Sequence, residues 1–323
     1  MDNNRVLVLA NPADRLLAML EALPEDTQIT VGDTVEAFRW SAAEADVIFG
    51  WPGSRALLRE VLGMAPEVRW VHTRAAGLDD LMSPELVAHP AVLTNGTGVF
   101  SPSLGEFALG AILYFAKDFP RLLRNQKAGV WEQFDVPSLE GQTVGIVGYG
   151  DIGRAVAERV RAMGMRVLAL KRHPAPSGAA DPLVDGMYGP EQRCEMLAQC
   201  DFVVIAAPLT AETRGMMGEA EFAAMKRAAV LVNIGRGPIV NEAALIRALS
   251  QGLIHGAALD VFEQEPLPAG HPFYGMENVL LSPHSADHTP DWLERAMRFF
   301  LVQFERFRQG EPLANVVDKH LGY

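Results

Sequence analysis

The chain has 323 residues, 49% of them hydrophobic, enough for a large core, two domains and an enzyme's cleft. Its 28 basic and 40 acidic residues leave a net charge of -12, which argues against nucleic acid or an anionic membrane as partner. Cys194 and Cys200, its 2 cysteines, match neither a zinc pair nor a disulfide framework. With no basic leader and no run of transmembrane length, a reducing, cytoplasmic setting is expected.

In chain order, "RVLVLA", "DVIFG" and "VRWVH" read as short strands, separated by helical patterns such as "ADRLLAMLEAL" and "SRALLREVL". From residue 101, "SPSLGEFALGAILYFAKDFPRLLRNQKAGV" predicts one long helix crossing between domains, with Ser101 as cap and Pro102 in its first turn. "TVGIVGYGDIGRAVAERV" is then strand, turn and helix, closed by Gly164 before the strand "MRVLAL". Further strands follow at "DFVVIAAP", "AAVLVNIG", "HGAALDVF" and "NVLLSPH", with a helix at "NEAALIRALSQG". The amphipathic "PDWLERAMRFFLVQFERFRQG" ends in glycine. The alternation predicts two α/β domains with parallel sheets, and there is no internal repeat or low-complexity tract.

Gly148, Gly150 and Gly153 stand at G-x-G-x-x-G spacing between strand and helix. The first permits a tight turn, the second lets a pyrophosphate approach the backbone, and the third lets the helix pack on the strand. The loop Gly148, Tyr149, Gly150, Asp151, Ile152 and Gly153 is therefore a candidate dinucleotide site, with free N–H groups opening the helix toward the anion. An acidic residue ending the next strand would bind a ribose 2'-hydroxyl, but "VLALKRHP" places Lys171, Arg172 and His173 there. This predicts a 2'-phosphate, so NADP is preferred and NAD possible, with Arg172 as main partner and Lys171 assisting.

Arg236 in "VNIGRGPIV", Glu265 in "LDVFEQEPLP" and His284 in "LLSPHSADH" stand at the ends of three late strands. Ligands in open α/β sheets bind there. A guanidinium that pairs with a carboxylate, and an imidazole held by a glutamate that exchanges a proton with an oxygen, suit a small anionic substrate. Each residue alone also reads as an ordinary surface or structural group.

Together, "VGIVGYGDIGRAVA", "PLTAETRGMMG", "LVNIGRGPIVNEAAL", "GAALDVFEQEPLP" and "LLSPHSA" resemble, in order and spacing, the D-isomer-specific 2-hydroxyacid dehydrogenase family. The resemblance covers nearly the whole chain. It implies catalytic Arg236, Glu265 and His284, with no metal, and hydride transfer between a nicotinamide and C2 of a 2-oxo or 2-hydroxy acid. It implies two Rossmann-like or flavodoxin-like domains: a discontinuous substrate domain, 1–100 and 289–323, around an inserted dinucleotide-binding domain, 101–288, with the cofactor in the cleft. Pro208, Thr213, Ile234, Gly235, Arg236, Asp260 and His284 join the implied cofactor contacts. Ala76, Gly77 and Leu78 of "RAAGLDD" are implied to hold the substrate carboxylate through backbone groups, alongside Arg236 and His284. A homodimer built through the cofactor domain is implied as well.

"WPGS", "RNQKAGVWEQ" and "NVVDKHLGY" look most like the glyoxylate/hydroxypyruvate reductase A group. In that reading Trp51 lines the substrate pocket and Trp131 reaches a neighbouring subunit, although a buried core role is equally open to each. Asp287 and His288 depart from the family's usual small residues and read as surface charges or substrate neighbours. The length leaves no room for the regulatory domain of many phosphoglycerate dehydrogenases, and formate dehydrogenases carry glutamine where Glu265 stands. Two rival readings are a reductase of bulkier 2-oxo acids and a non-catalytic nucleotide-sensing protein of the same fold.

Overall fold

The computed structural model describes residues 4–52, 54–79, 81–173 and 181–323. Gly53 of "WPGS", Asp80 of "RAAGLDD" and Pro174 of "VLALKRHP" lie outside these described residues. The chain divides into two compact units, Met1–Phe100 with Thr289–Tyr323, and Ser101–His288.

The first unit carries strands β1 (Arg5–Leu9), β2 (Gln28–Gly32), β3 (Val47–Gly50), β4 (Trp70–Thr73) and β5 (Val92–Thr94). All pair in parallel, in the order β2-β1-β3-β4-β5, the flavodoxin-like winding. Helices α1 (Arg55–Met64) and α2 (Pro84–Ala88) lie between strands, each capped by a serine, Ser54 and Ser83, that accepts from a first-turn N–H. "ADRLLAMLEAL" is a 3₁₀ helix, Arg15–Ala22, rather than an α-helix, and Asp14 caps it by accepting from Leu16 N.

The second unit opens with α3 (Ser101–Ala116) and α4 (Phe119–Ala128), where the sequence pattern predicts one helix crossing between domains. Both helices belong to this unit. The break is local: Asp118 has φ 47°, a left-handed conformation, and its side chain caps α4 just ahead of Pro120. Then follow β6 (Thr143–Val147), α5 (Asp151–Ala162), β7 (Arg166–Leu170), β8 (Gly186–Tyr188), α6 (Arg193–Leu197), β9 (Phe202–Ile205), α7 (Glu219–Ala224), β10 (Val230–Asn233), α8 (Glu242–Ser250), β11 (Gly256–Leu259) and β12 (Val279–Leu281). The parallel order β12-β11-β10-β9-β6-β7-β8 reverses direction between β6 and β9, the switch point at which doubly wound sheets bind ligands. Cys200 lies beneath this sheet, where burial pushes its thiol up to about 12 and keeps it inert.

The last helix, α9 (Trp292–Gln309), returns to the first unit and ends at Gly310 with φ 69°. Its Phe300 stacks on Phe49 at 3.9 Å between ring centroids, and also lies against Trp70 and His72. His72 has no exposed surface, its Nδ1 is 2.7 Å from Thr94 Oγ1, and its Nε2 is a buried atom without a partner. Burial therefore drives its value down to about 3 and keeps the ring neutral.

This burial has a consequence for acid stability. The unfolded chain takes up a proton near 6.5 that folded His72 refuses, so stability is full above that pH and is lost as pH falls toward 3. Between pH 7 and pH 5 the first unit should lose about 2 kcal/mol from this group, and His72→Phe should abolish that part of the loss. Urea unfolding followed by tryptophan emission measures it, because Trp40, Trp51, Trp70 and Trp292 all lie in this unit.

Candidate active site

The glycine loop shows why each glycine stands where it does. Gly148 has φ 97°, and a Cβ there would lie 2.4 Å from the backbone of Ala207. A Cβ on Gly153 would meet the Gly148 carbonyl oxygen at 2.4 Å, so α5 sits directly against the turn. A Cβ on Gly150 would meet nothing within 4 Å, which leaves open space over the start of α5. Gly150 also provides no side-chain cap, and the N–H groups of Gly150, Asp151, Ile152 and Gly153 have no acceptor among the described residues. Open space beside unpaired donors at a helix start fits a pyrophosphate.

Other residues of the loop are engaged locally. Tyr149 N donates to Leu170 O, and its hydroxyl donates to Asp181 at 3.0 Å. Asp151 accepts from Ser101 Oγ, so Ser101 is the first residue of α3 and tethers α5 rather than capping its own helix. At the end of β7, Lys171 and His173 are exposed, while Arg172 Nη2 pairs with Glu212 Oε1 at 2.5 Å. Thr213 Oγ1 donates to Pro208 O at 2.7 Å, closing the loop after β9.

The neighbouring strands β10, β11 and β12 deliver the polar set. Asn233, the last residue of β10 and 1% exposed, donates Nδ2 to Arg236 O at 3.2 Å and accepts from Gly235 N at 3.1 Å. Arg236 Nη1 donates to Gly235 O at 2.8 Å. Ile234 is buried, and a Cβ on Gly237 would lie 1.8 Å from the carbonyl carbon of Phe262, so this loop runs tightly along the one that follows β11.

Glu265 uses both carboxylate oxygens. Oε1 accepts from Phe262 N at 2.9 Å, and Oε2 lies 2.7 Å from His284 Nδ1. The first bond fixes the carboxylate, and the second makes Nδ1 the donor, which leaves Nε2 as the nitrogen able to exchange a proton. His284 and Glu265 side chains are 45% and 34% exposed, so a substrate can reach them.

His284 has φ 52°, a conformation that costs a residue with a Cβ. Asp260, 2% exposed, holds it there: its carbonyl accepts from His284 N at 2.8 Å, and its Oδ1 accepts from Ser282 Oγ, Ser285 N and Ala286 N at 2.5, 2.9 and 3.1 Å. Nearby, Asp287 is no surface charge. Its Oδ1 is buried without a hydrogen-bond partner, and burial pushes the carboxyl up while His288 at 3.7 Å pulls it back. Asn233 is absent from the sequence reading, and Asp260 enters it only as an implied cofactor contact, not as the support of the His284 loop. The one signal was an asparagine, a poor strand residue, closing the apolar run "VLVN".

In the first unit, Ala76 O accepts from Asn95 Nδ2 at 2.7 Å and Ala75 O from Gly96 N at 3.0 Å. The N–H groups of Ala76, Gly77 and Leu78 have no acceptor among the described residues. Trp51 is 0% exposed, and its Nε1 donates to Asp14 Oδ2 at 2.9 Å. With no exposed surface it offers a substrate no contact, which corrects the pocket-lining expectation in favour of the core one. Trp131, at 95% exposed, is the opposite case. Among the described residues there is no cluster of metal ligands, and no helix is long and apolar enough to cross a membrane.

Residues 109–286 match the family model "D-isomer specific 2-hydroxyacid dehydrogenase, NAD binding domain". A glyoxylate reductase of Korarchaeum cryptofilum is 35% identical over 268 residues, covering 81% of this chain and 80% of that one. The solved D-isomer specific 2-hydroxyacid dehydrogenase of Xanthobacter autotrophicus Py2, in complex with NADPH and MES, superposes with a TM-score of 0.85 at 30% identity, covering 100% of both chains. The NADPH-dependent glyoxylate/hydroxypyruvate reductase of Sinorhizobium meliloti, with NADP and sulfate, gives 0.83 at 27% identity, covering 99% of this chain and 100% of that one. With two doubly wound parallel sheets, a glycine turn at the switch point and a matching dinucleotide-binding region, this chain belongs to the D-isomer-specific 2-hydroxyacid dehydrogenase family, and is an oxidoreductase acting on a CH–OH group.

Proposed function

We propose that this protein reduces a small 2-oxo acid, glyoxylate or hydroxypyruvate, to the D-2-hydroxy acid. The observation that carries this reading is the 2.7 Å contact between Glu265 and His284 Nδ1 on a strand-end loop, with Arg236 on the loop two strands away. Protonated His284 gives its Nε2 proton to the carbonyl oxygen during reduction and takes it back in oxidation. Glu265 orients the ring and balances its charge, as a carboxylate beside an imidazolium does. Arg236 pairs with the substrate carboxylate and polarises the carbonyl, and the N–H groups of Ala76, Gly77 and Leu78 are further carboxylate donors. The nicotinamide cofactor, when bound, supplies the hydride.

The N–H groups opening α5 hold the pyrophosphate, and Arg172 with Lys171 holds a 2'-phosphate, the Arg172 guanidinium donating to both that phosphate and Glu212. Solved relatives that carry NADPH or NADP support NADPH as the preferred cofactor. An intact proton-exchanging pair favours catalysis over nucleotide sensing, because binding a dinucleotide needs neither residue. A second copy of the chain is the partner: Leu123 and Trp131, 57% and 95% exposed, stand with Phe119, Leu122, Val130 and Val136 along α4 and the stretch after it. A cytoplasmic location completes the reading.

A substrate panel tests it. With NADPH, glyoxylate and hydroxypyruvate should be reduced with higher kcat/KM than 2-oxoisocaproate or phenylpyruvate, and the reverse order removes the small-substrate reading. NADPH should outperform NADH, and Arg172→Ala should lower kcat/KM for NADPH about 10- to 100-fold with little change for NADH. Equal efficiencies in the wild type remove the phosphate assignment.

His284→Ala should cost both directions roughly 10²- to 10⁴-fold while cofactor binding persists. Glu265→Gln should lower kcat about 10- to 100-fold in both directions with little change in KM, since a neutral amide neither accepts from Phe262 N as strongly nor balances the charged ring. A variant that keeps the wild-type kcat would remove Glu265 from the mechanism. Light scattering should give the mass of a dimer, with Leu123→Glu shifting it toward monomer; a monomeric wild type overturns the partner assignment.

A further inference from the structure

In the second unit, Glu242, Glu263 and His271 have no step in the chemistry above, yet the first is bonded to both of the others. Glu242 opens α8, six places after Arg236, and Glu263 stands in the loop after β11, two places before Glu265. The two exchange bonds through their backbones: Glu242 Oε1 accepts from Glu263 N at 2.6 Å, and Glu263 Oε1 accepts from Glu242 N at 3.1 Å. Glu242 Oε2 serves the far end of the same loop, 3.4 Å from His271 Nε2. His271 Nδ1 accepts from Phe273 N, so the ring's hydrogen lies on Nε2 and is donated to that carboxylate. One side chain, 14% exposed, thus pins both ends of the segment that carries Glu265.

That segment needs the support. Between β11 and the 3₁₀ turn Pro272–Gly275 it contains no strand or helix, and such a stretch keeps its conformational freedom unless its ends are fixed. Asp260 fixes His284 and Asn233 fixes Arg236, which leaves the third polar residue to Glu242. The place suits carboxylates, because free N–H groups and the helix dipole favour negative charge at the start of α8. The bond from Glu263 N adjoins the one from Phe262 N to Glu265 Oε1, so fixing Glu263 fixes the donor that holds the Glu265 carboxylate.

We propose that Glu242 is the positioning residue for Glu265: by bonding to Glu263 and His271 it sets where the Glu265 carboxylate meets His284 Nδ1. This rests on the reductase reading above and adds a residue to its machinery.

Kinetics, coupling and amide exchange test it on the full chain with NADPH and glyoxylate. Glu242→Ala should lower kcat about tenfold while KM for the oxo acid stays within about threefold, since Arg236 keeps its own anchor. Glu242→Gln retains an oxygen for Glu263 N but no acceptor for His271, and should lose only about threefold. In a Glu265→Gln background, Glu242→Ala should cost less than about twofold more, because the carboxylate it acts through is already gone. Exchange of the Phe262 amide hydrogen, followed by NMR, should be at least about tenfold faster in Glu242→Ala, with Ser285 and Ala286 keeping wild-type rates. A Glu242→Ala variant with wild-type kcat overturns the proposal, as does a loss equally large in the Glu265→Gln background. If Glu242→Ala does not fold, His271→Phe decides it: that variant keeps a ring against Phe273, removes one of the two pins, and should show the same non-additive loss at about threefold. A wild type that reduces neither glyoxylate nor hydroxypyruvate, while Glu242→Ala still frees the Phe262 amide, sustains the clamp and removes the reductase reading instead; unchanged exchange there overturns the clamp.

Discussion

The proposed chemistry depends on one buried carboxylate. Asp260 gathers Ser282, Ser285 and Ala286 on a single oxygen while its own carbonyl takes the N–H of His284. A left-handed histidine costs of order 1–3 kcal/mol, and each bond to a charged acceptor is worth about 1.5–3 kcal/mol, so the loop is held with a surplus. Without that anchor the imidazole has no reason to meet Glu265, and neither residue alone specifies the other's position. Asn233 does the same for Arg236 with an uncharged amide, gripping the loop on both sides of the guanidinium's own residue.

Both units use the same physical device at their sheets. Parallel strands leave the N–H groups and side chains of their carboxyl ends free, and the connecting loops collect polar residues there. In the second unit these ends carry the glycine turn, Arg236, Glu265 and His284. In the first they carry Asp14, Trp51, Arg74 and the unpaired N–H groups of Ala76, Gly77 and Leu78. The aromatic stack of Phe49, Trp70, His72 and Phe300 supports the first set by joining α9 to β3 and β4.

Much of this was legible because it is local. The β-branched run before Gly148 and the three glycines encode strand, turn and helix within a dozen residues, and the pattern of strand ends named Arg236, Glu265 and His284 without reference to distant segments. The places where local reading failed are those where a few residues outweigh a periodic pattern. The helical periodicity from residue 101 continues through Asp118, yet a left-handed Asp118 with Pro120 behind it splits the helix in two. "ADRLLAMLEAL" has helical apolar spacing, yet it closes as a 3₁₀ helix in the connection to β2.

The sequence by itself therefore determined the alternating α/β class, the dinucleotide turn and the types of residue offered to a substrate, since backbone propensity and residue spacing encode those directly. Only the tertiary structure decided which polar groups are already spent and which are left for a ligand. Trp51 is spent on Asp14, Tyr149 on Asp181 and Asp260 on the loop of His284. The N–H groups opening α5 are left. Hydrogen-bond satisfaction is a property of pairs distant in the chain, 37 residues apart for Asp14 and Trp51, and no periodicity along the sequence encodes it.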